Sequence, residues 1–366
     1  MSGALTAATR PGRRPTALLA LALLALVAAL TVPARADAGP APKGFFGVHQ
    51  LKADPAAFGE MAAADVGMLR VAFPYQQALP IVGAPPDADF TWLRFDPIVA
   101  AAARDDIDLL PVVLGASSGG PTATPLDSPQ ATAAWKQYLT KLVGRYGPDG
   151  AFWDDPASAG VPYRPIVDWQ VWNEPNSFNN WAKPSAKQYG KLLTISARAI
   201  HSVDRRATVV SAGVISQPVN RRAEDGDVFL KKMFRSKSAR KAADAIAIHP
   251  YTGTVKEVQR QIGLTRTVMD RAKLKRVPIW VTEIGWGSGK SANPLIVSPA
   301  KQKRNLRDSF AMMLKQRRKL GIGKAIWYQW QDGHDAVCGW CNTSGLLRES
   351  GRPKPLRNEF AAIARR

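Results

Sequence analysis

Along this chain, short apolar runs rich in β-branched residues alternate eight times with longer stretches of helical periodicity. The runs occupy residues 45–49, 67–73, 107–114, 167–172, 208–214, 245–249, 277–282 and 324–330. They are continuously apolar rather than alternating, which is what strands covered on both faces of a parallel sheet require. Helical patterns follow at 55–64, 95–105, 129–146, 185–203, 227–243, 255–274, 299–320 and 356–364. The seventh has a marked start and stop, with Ser298 as cap, Pro299 in the first turn and Gly321 after the last. One connection, 147–166, is long and rich in Gly, Pro and Asp, and carries Phe152, Trp153 and Tyr163. It leads into the start of the fourth strand, so a packing role is expected of it rather than catalysis.

Eight strand-helix pairs suit either an open doubly wound sheet or a closed barrel, and polar residues separate the two. Nearly every run ends in a side chain fit for chemistry: His49, Arg70, Asn173 with Glu174, His249 with Tyr251, Glu283 and Trp330. In a closed barrel the C-terminal edges of all strands open onto one face, so these residues converge. An open sheet would want a glycine-rich phosphate loop after its first strand, and the sequence has none. The expected fold is therefore an α/β (β/α)8 TIM barrel, formed by one catalytic domain over 44–366.

The first 36 residues read as an export signal. Arg10, Arg13 and Arg14 precede an apolar run over 17–32, and Ala34-Arg35-Ala36 offers a small-x-small cleavage site. The run is shorter than the ~20 residues of a membrane span. A cleaved signal peptide and a secreted, extracellular or wall-associated protein are expected, with no stable membrane insertion; a retained anchor is the alternative. Residues 37–43, a short Ala/Pro/Gly stretch, are expected to form a flexible lead-in.

Lys and Arg outnumber Asp and Glu by 50 to 29, a formal net charge of +21. The basic clusters, Arg221-Arg222, Lys231-Lys232, Arg240-Lys241, Lys275-Arg276, Lys303-Arg304 and Arg317-Arg318-Lys319, fall in expected outer helices and their connections. They suit either a solvated face or attraction to an anionic wall polymer or acidic polysaccharide. Nucleic acid is not expected, because no recognition motif accompanies the charge. Two cysteines only occur, Cys338 and Cys341. In an exported chain they most simply form a small disulfide that stiffens a loop.

Glu174 and Glu283 close the fourth and seventh runs, three repeats of ~30 residues or more apart. That spacing sets both on one rim. Retaining glycosidic hydrolysis needs such a pair, one carboxyl protonated to assist the leaving oxygen and one ionised to attack the anomeric carbon.

The segment Val171-Trp172-Asn173-Glu174-Pro175-Asn176 resembles the strand-four signature of clan A glycoside hydrolases, families 5 and 39 in particular. Thr282-Glu283-Ile284-Gly285-Trp286 is similar to their strand-seven nucleophile segment, and His249-Pro250-Tyr251 to their strand-six motif. Arg70 matches the arginine that lies under the nucleophile. The resemblance implies that Glu174 is acid/base, that Glu283 attacks, and that Asn173 hydrogen-bonds the sugar 2-hydroxyl. Arg70 and Tyr251 are then expected to keep Glu283 ionised, and His249 to support the site. Trp330 is the expected sugar platform at the end of strand eight, with Trp327 competing for that place. Trp286 and Trp181, just beyond the two glutamates, are candidate subsite residues. The chain departs from family 5 in lacking a histidine after strand three, where 114–120 reads Leu-Gly-Ala-Ser-Ser-Gly-Gly.

The expected function is a monomeric secreted retaining glycoside hydrolase acting on a polysaccharide or oligosaccharide, anionic if the basic surface takes part. No metal or organic cofactor is expected. A carbohydrate-binding or wall-associated barrel without catalysis is the alternative. A metal-dependent hydrolase fits poorly with four histidines and no His-x-His pair.

Overall fold

The computed structural model describes residues 39–79, 90–115, 123–217, 223–334 and 338–366. The leader over 1–36, the start of the lead-in, Arg221-Arg222 and most of the loop after strand three lie outside these residues. Among the described residues, no helix is long and apolar enough to cross a membrane.

The strands are β1 (Phe46–His49), β2 (Met68–Pro74), β3 (Asp108–Leu114), β4 (Asp168–Val171), β5 (Thr208–Val210), β6 (Val214–Ile215), β7 (Ile246–His249), β8 (Ile279–Ile284), β9 (Gly287–Ser288), β10 (Ile296–Val297) and β11 (Ile322–Tyr328). Nine of them form one sheet in the order β5-β4-β3-β2-β1-β11-β8-β7-β6, and every pairing is parallel. β5 and β6 are two pieces of one barrel strand. A parallel bridge between Val210 and Ala245, with Ser211 N donating to Ala245 O at 2.9 Å, closes the ring. The result is the expected (β/α)8 barrel.

The helices are α1 (Phe58–Ala63), α2 (Asp96–Arg104), α3 (Pro129–Tyr146), α4 (Ala151–Asp154), α5 (Ala186–His201), α6 (Gly226–Met233), α7 (Lys237–Ala242), α8 (Val255–Arg271), α9 (Pro299–Leu320) and α10 (Pro355–Ala364). Their starts are chemically marked. Ser128, Ser185, Thr254 and Ser298 each accept a hydrogen bond from a backbone N–H of the first turn, satisfying a donor that the helix cannot. Gly321 ends α9 at φ 66°, a left-handed conformation that glycine adopts without penalty. The barrel interior is filled by Met68, Leu110, Val210, Ala245, Ala247, Trp280 and Ile326. Small and large side chains alternate there, as a tapering lumen demands.

Three expectations about elements need correction. The helix expected over 227–243 is two helices, because Ser236 caps a new start by accepting from Ala239 N. The fifth strand is interrupted at 211–213; a Cβ on Gly213 would stand 2.0 Å from His249 Nε2. Arg70 does not end strand two but is the third residue of β2, so its side chain works from within the barrel. The 147–166 connection folds into α4 and a 3-10 turn, and Trp153 packs edge-on against Tyr163 away from the cavity described below.

Candidate active site

A cavity of about 660 Å³ opens at the C-terminal edge of the barrel. Both glutamates line it. Glu283 is the fifth residue of β8 and buried, whereas Glu174 follows β4 on a sharply turned backbone. Trp172 and Glu174 have φ of 72° and 42°, in the left-handed region that side chains with a Cβ rarely enter. Glu174 N donates to Gly213 O at 3.0 Å, and Trp172 Nε1 to Asn180 O at 3.1 Å. These bonds hold the turn against its intrinsic cost, a pattern common where side chains must be aimed.

Arg70, 1 % exposed, is the hub beneath the cavity floor. It donates to Glu283 Oε1 at 2.5 Å, Asn173 Oδ1 at 2.7 Å, Gln170 Oε1 at 2.6 Å and His49 Nδ1 at 3.1 Å. A guanidinium has only donors. His49 Nδ1 is therefore an acceptor, and the ring carries its proton on Nε2. Burial, then the adjacent Arg70 charge, pulls the His49 pKa down to about 3, which keeps the ring neutral. The Tyr251 hydroxyl donates to Glu283 Oε2 at 2.6 Å. Burial, reinforced by the Glu283 charge, pushes that phenol well above its ordinary value.

Glu283 itself is subject to opposed forces. Burial alone would raise its pKa, but the fields of His249 and Arg70 and the Tyr251 hydrogen bond more than reverse this and hold it at about 2. The carboxylate is thus ionised at any ordinary pH. Glu174 has a different set of neighbours. Asn180 Nδ2 donates to Oε2 at 3.2 Å, and His249 Nδ1 meets Oε1 at 2.8 Å. His249 Nε2 in turn meets Thr282 Oγ1 at 3.0 Å, and the fully buried ring stands 3.5 Å from Glu283 Oε2. One oxygen of each glutamate and one His249 nitrogen lie within 4.8 Å of one another.

Two acids and an imidazole could in principle ligate a cation, but the donors here are already committed. Both Glu283 oxygens accept strong hydrogen bonds, one of them from a guanidinium that would repel a metal ion. The cluster is built for an anion held by protons rather than for a metal.

The structure brings Glu174, Glu283, Asn173, Arg70, His249 and Tyr251 together. The tryptophans behave otherwise. Trp327 is fully buried, donates to Ser344 O and packs against Trp286 and Phe310 behind the barrel wall. Trp330, Trp286 and Trp181 are also buried, and none of the four lines the cavity. The aromatic wall is made instead by Tyr328, Tyr251 and Trp340, with Trp340 4.7 Å from Tyr251 and 5.7 Å from Tyr328 between ring centroids. Alternation explains the shift: Trp327 faces the helices, so Tyr328 faces the lumen. Trp340 sits within the Cys338–Cys341 disulfide, whose half-cystines also line the cavity. Sequence reasoning missed Trp340, Gln170 and Asn180, and named His49 at the end of the first run without giving it a role. Trp340 alone carried a signal, as an indole inside a short cysteine-bounded loop.

A profile described as "Glycosyl hydrolase catalytic core" matches residues 170–360. No curated protein matches the sequence. Among solved structures, a family 39 glycoside hydrolase from Bacteroides cellulosilyticus WH2 is similar at 19 % identity and a TM-score of 0.63, covering 90 % of this chain and 64 % of its own. The chain thus spans less than two thirds of that protein's length. A GH5_18 protein from Streptomyces cattleya, solved in complex with GlcNAc, aligns at 16 % identity and a TM-score of 0.60 over 89 % of this chain and 80 % of its own. The GH53 catalytic domain of Ignisphaera aggregans aligns at 15 % and 0.59 over 89 % and 97 %. At such identities these likenesses speak to the shared barrel.

Proposed function

Because the chain belongs to the glycosyl hydrolase catalytic core family, we propose that it is a secreted clan A enzyme cleaving O-glycosidic bonds of a polysaccharide or oligosaccharide with retention. The observation that carries this reading is that one oxygen of each glutamate lies within 4.8 Å of the other. Retaining enzymes hold their carboxyls ~5–5.5 Å apart, whereas inverting ones leave ~6.5–9.5 Å for a water between them.

Glu283 is the nucleophile, since a buried carboxylate kept ionised by Arg70 and Tyr251 can attack C1 without first losing a proton. As the C1–O bond breaks, Glu174 gives its proton to the leaving oxygen, and a glycosyl ester forms on Glu283. Glu174 then takes a proton from water, the resulting hydroxide attacks C1 from the opposite face, and the ester carboxylate departs. Asn173 supports both steps. Its Oδ1 accepts from Arg70, which turns the Nδ2 donor toward the sugar 2-hydroxyl beside the nucleophile. Trp340, Tyr328 and Tyr251 supply apolar faces for the pyranose ring. His249 orients Glu174 from behind.

Replacing Glu283 by Ala should lower kcat by on the order of 10⁴-fold or more, with azide restoring turnover as the anomer-inverted glycosyl azide. Full activity in that variant ends the proposal. Product analysis on a glycan panel separates it from a catalytically silent barrel, which would bind sugar without releasing reducing ends.

A further inference from the structure

One helix outside the cavity carries more positive charge than its ion pairs use. Of the 22 residues of α9, eight are Lys or Arg and one is acidic, Asp308. Lys303 pairs with Glu359 and Arg307 with Asp308. Lys301, Arg304, Lys315, Arg318 and Lys319 are exposed, and among the described residues none of them forms a salt bridge.

Two bland explanations fail for this helix. Cations in the last turn complement the helix dipole, which accounts for Arg318 and Lys319; in the first turns the same dipole disfavours cations, yet Lys301, Lys303 and Arg304 stand there. Solubility needs net charge, but it does not need one sign gathered on one helix. Lys301, Arg304, Lys315 and Arg318 follow the spacing of a single helical face, and together with Lys319 they span about 27 Å of axis.

The ribbon is continuous with its surroundings at both ends. Ile279 N donates to Gly321 O at 2.7 Å, and Ile279 pairs with Ile322. This sets the exposed turn holding Lys273, Lys275 and Arg276 beside the end of α9. At the other end, Gln302 donates to Thr343 O at 2.8 Å, two residues from the cavity-lining Cys341. The start of α9 thereby lies against the segment that carries the cavity-lining Cys341.

We propose that the outer face of α9, extended by the Lys273–Arg276 turn, is a docking surface for an extended acidic polysaccharide. Spaced cations along a rod match regularly spaced carboxylates on a polymer, and binding releases condensed counterions. No exposed large aromatic or aliphatic side chain occurs on α9 or in that turn. Stacking with nucleic-acid bases and insertion into a bilayer both lack their means. The choice of a glycan rests on the hydrolase reading; the charge ribbon does not.

Affinity electrophoresis of the full chain in polygalacturonate, at low and high salt, tests the surface. In one variant Lys301, Arg304, Lys315, Arg318, Lys319 and Lys275 become Gln; in a control Lys136, Lys141, Lys187, Lys191, Arg205 and Arg206, all exposed on other helices and turns, become Gln. Melting curves confirm that both are folded. The ribbon variant should bind at least about tenfold more weakly with a flatter salt slope, and the control less than about threefold. Equal weakening in both variants overturns the proposal, as does wild-type retention that is stronger on duplex DNA or anionic phospholipid vesicles than on polygalacturonate. A chain inert on every glycan that still shows ribbon-selective retention would sink the hydrolase reading and leave the docking surface standing.

Discussion

The two glutamates of the cavity are the same residue in unlike surroundings. Glu283, its side chain 7 % exposed, is held by a guanidinium at one oxygen and a phenol at the other. Glu174, 16 % exposed, touches an amide and an imidazole, and its backbone is bent into a left-handed turn. The contrast teaches that environment divides the labour. A carboxylate held by a guanidinium and a phenol suits attack, whereas one held by an amide and an imidazole suits passing a proton back and forth.

The strongest way to break this contrast is to remove the guanidinium. Arg70→Met should cut kcat/KM by about 10³-fold, because Glu283 loses its counter-charge while remaining buried, and stability should fall by about 3–5 kcal/mol. Thermal melting and steady-state kinetics measure the two effects. An active, equally stable variant would show that Arg70 plays no part in keeping Glu283 charged.

Moving His249 perturbs the other side of the comparison. Gly213→Ala places a methyl where the imidazole ring now lies, so Glu174 loses its orienting partner. A decrease in kcat of about 10²-fold is expected, larger for substrates with poor leaving groups, since those depend most on the proton. Equal losses on good and poor leaving groups would instead implicate Glu283.

The pH profile sharpens the contrast without a large change in rate. Glu283 is depressed to about 2, below its ordinary carboxylate value. Its contribution to stability is therefore fully present above the unfolded value of about 4.3 and is lost as pH falls toward about 2. Wild-type kcat/KM should show no acid-side decline from this group above about pH 4. Tyr251→Phe removes one of its hydrogen bonds, so the acid limb should move upward and activity at neutral pH should drop by about tenfold. An unmoved limb would mean that the phenol contributes nothing to ionisation. Trp340→Ala should have the smallest effect, raising KM by about tenfold with kcat nearly kept, as expected for lost ring stacking.

Much of this site was legible in the chain because barrel strands set their chemistry at fixed ends. Glu174, Asn173 and Glu283 stood out as polar residues closing apolar runs, and the structure unites them with Arg70, His249 and Tyr251 around one cavity and its floor. The tryptophans were not legible. In the segment Ile326-Trp327-Tyr328-Gln329-Trp330, a shift of one residue exchanges lumen for helix layer, and composition does not choose between them. His49 closed the first apolar run yet had no legible role, and Gln170 gave no signal, since each matters only through Arg70, which meets them across 21 and 100 residues of chain.

By itself the sequence determined the period of the fold, the two acids and the basic excess, because each is written locally as a pattern, a motif or a charge. Only the tertiary structure decided which aromatic rings line the cavity, how many donors converge on Glu283, and that the Lys273–Arg276 turn lies beside the end of α9. Those facts depend on distances between segments, and the closing of the barrel sets such distances.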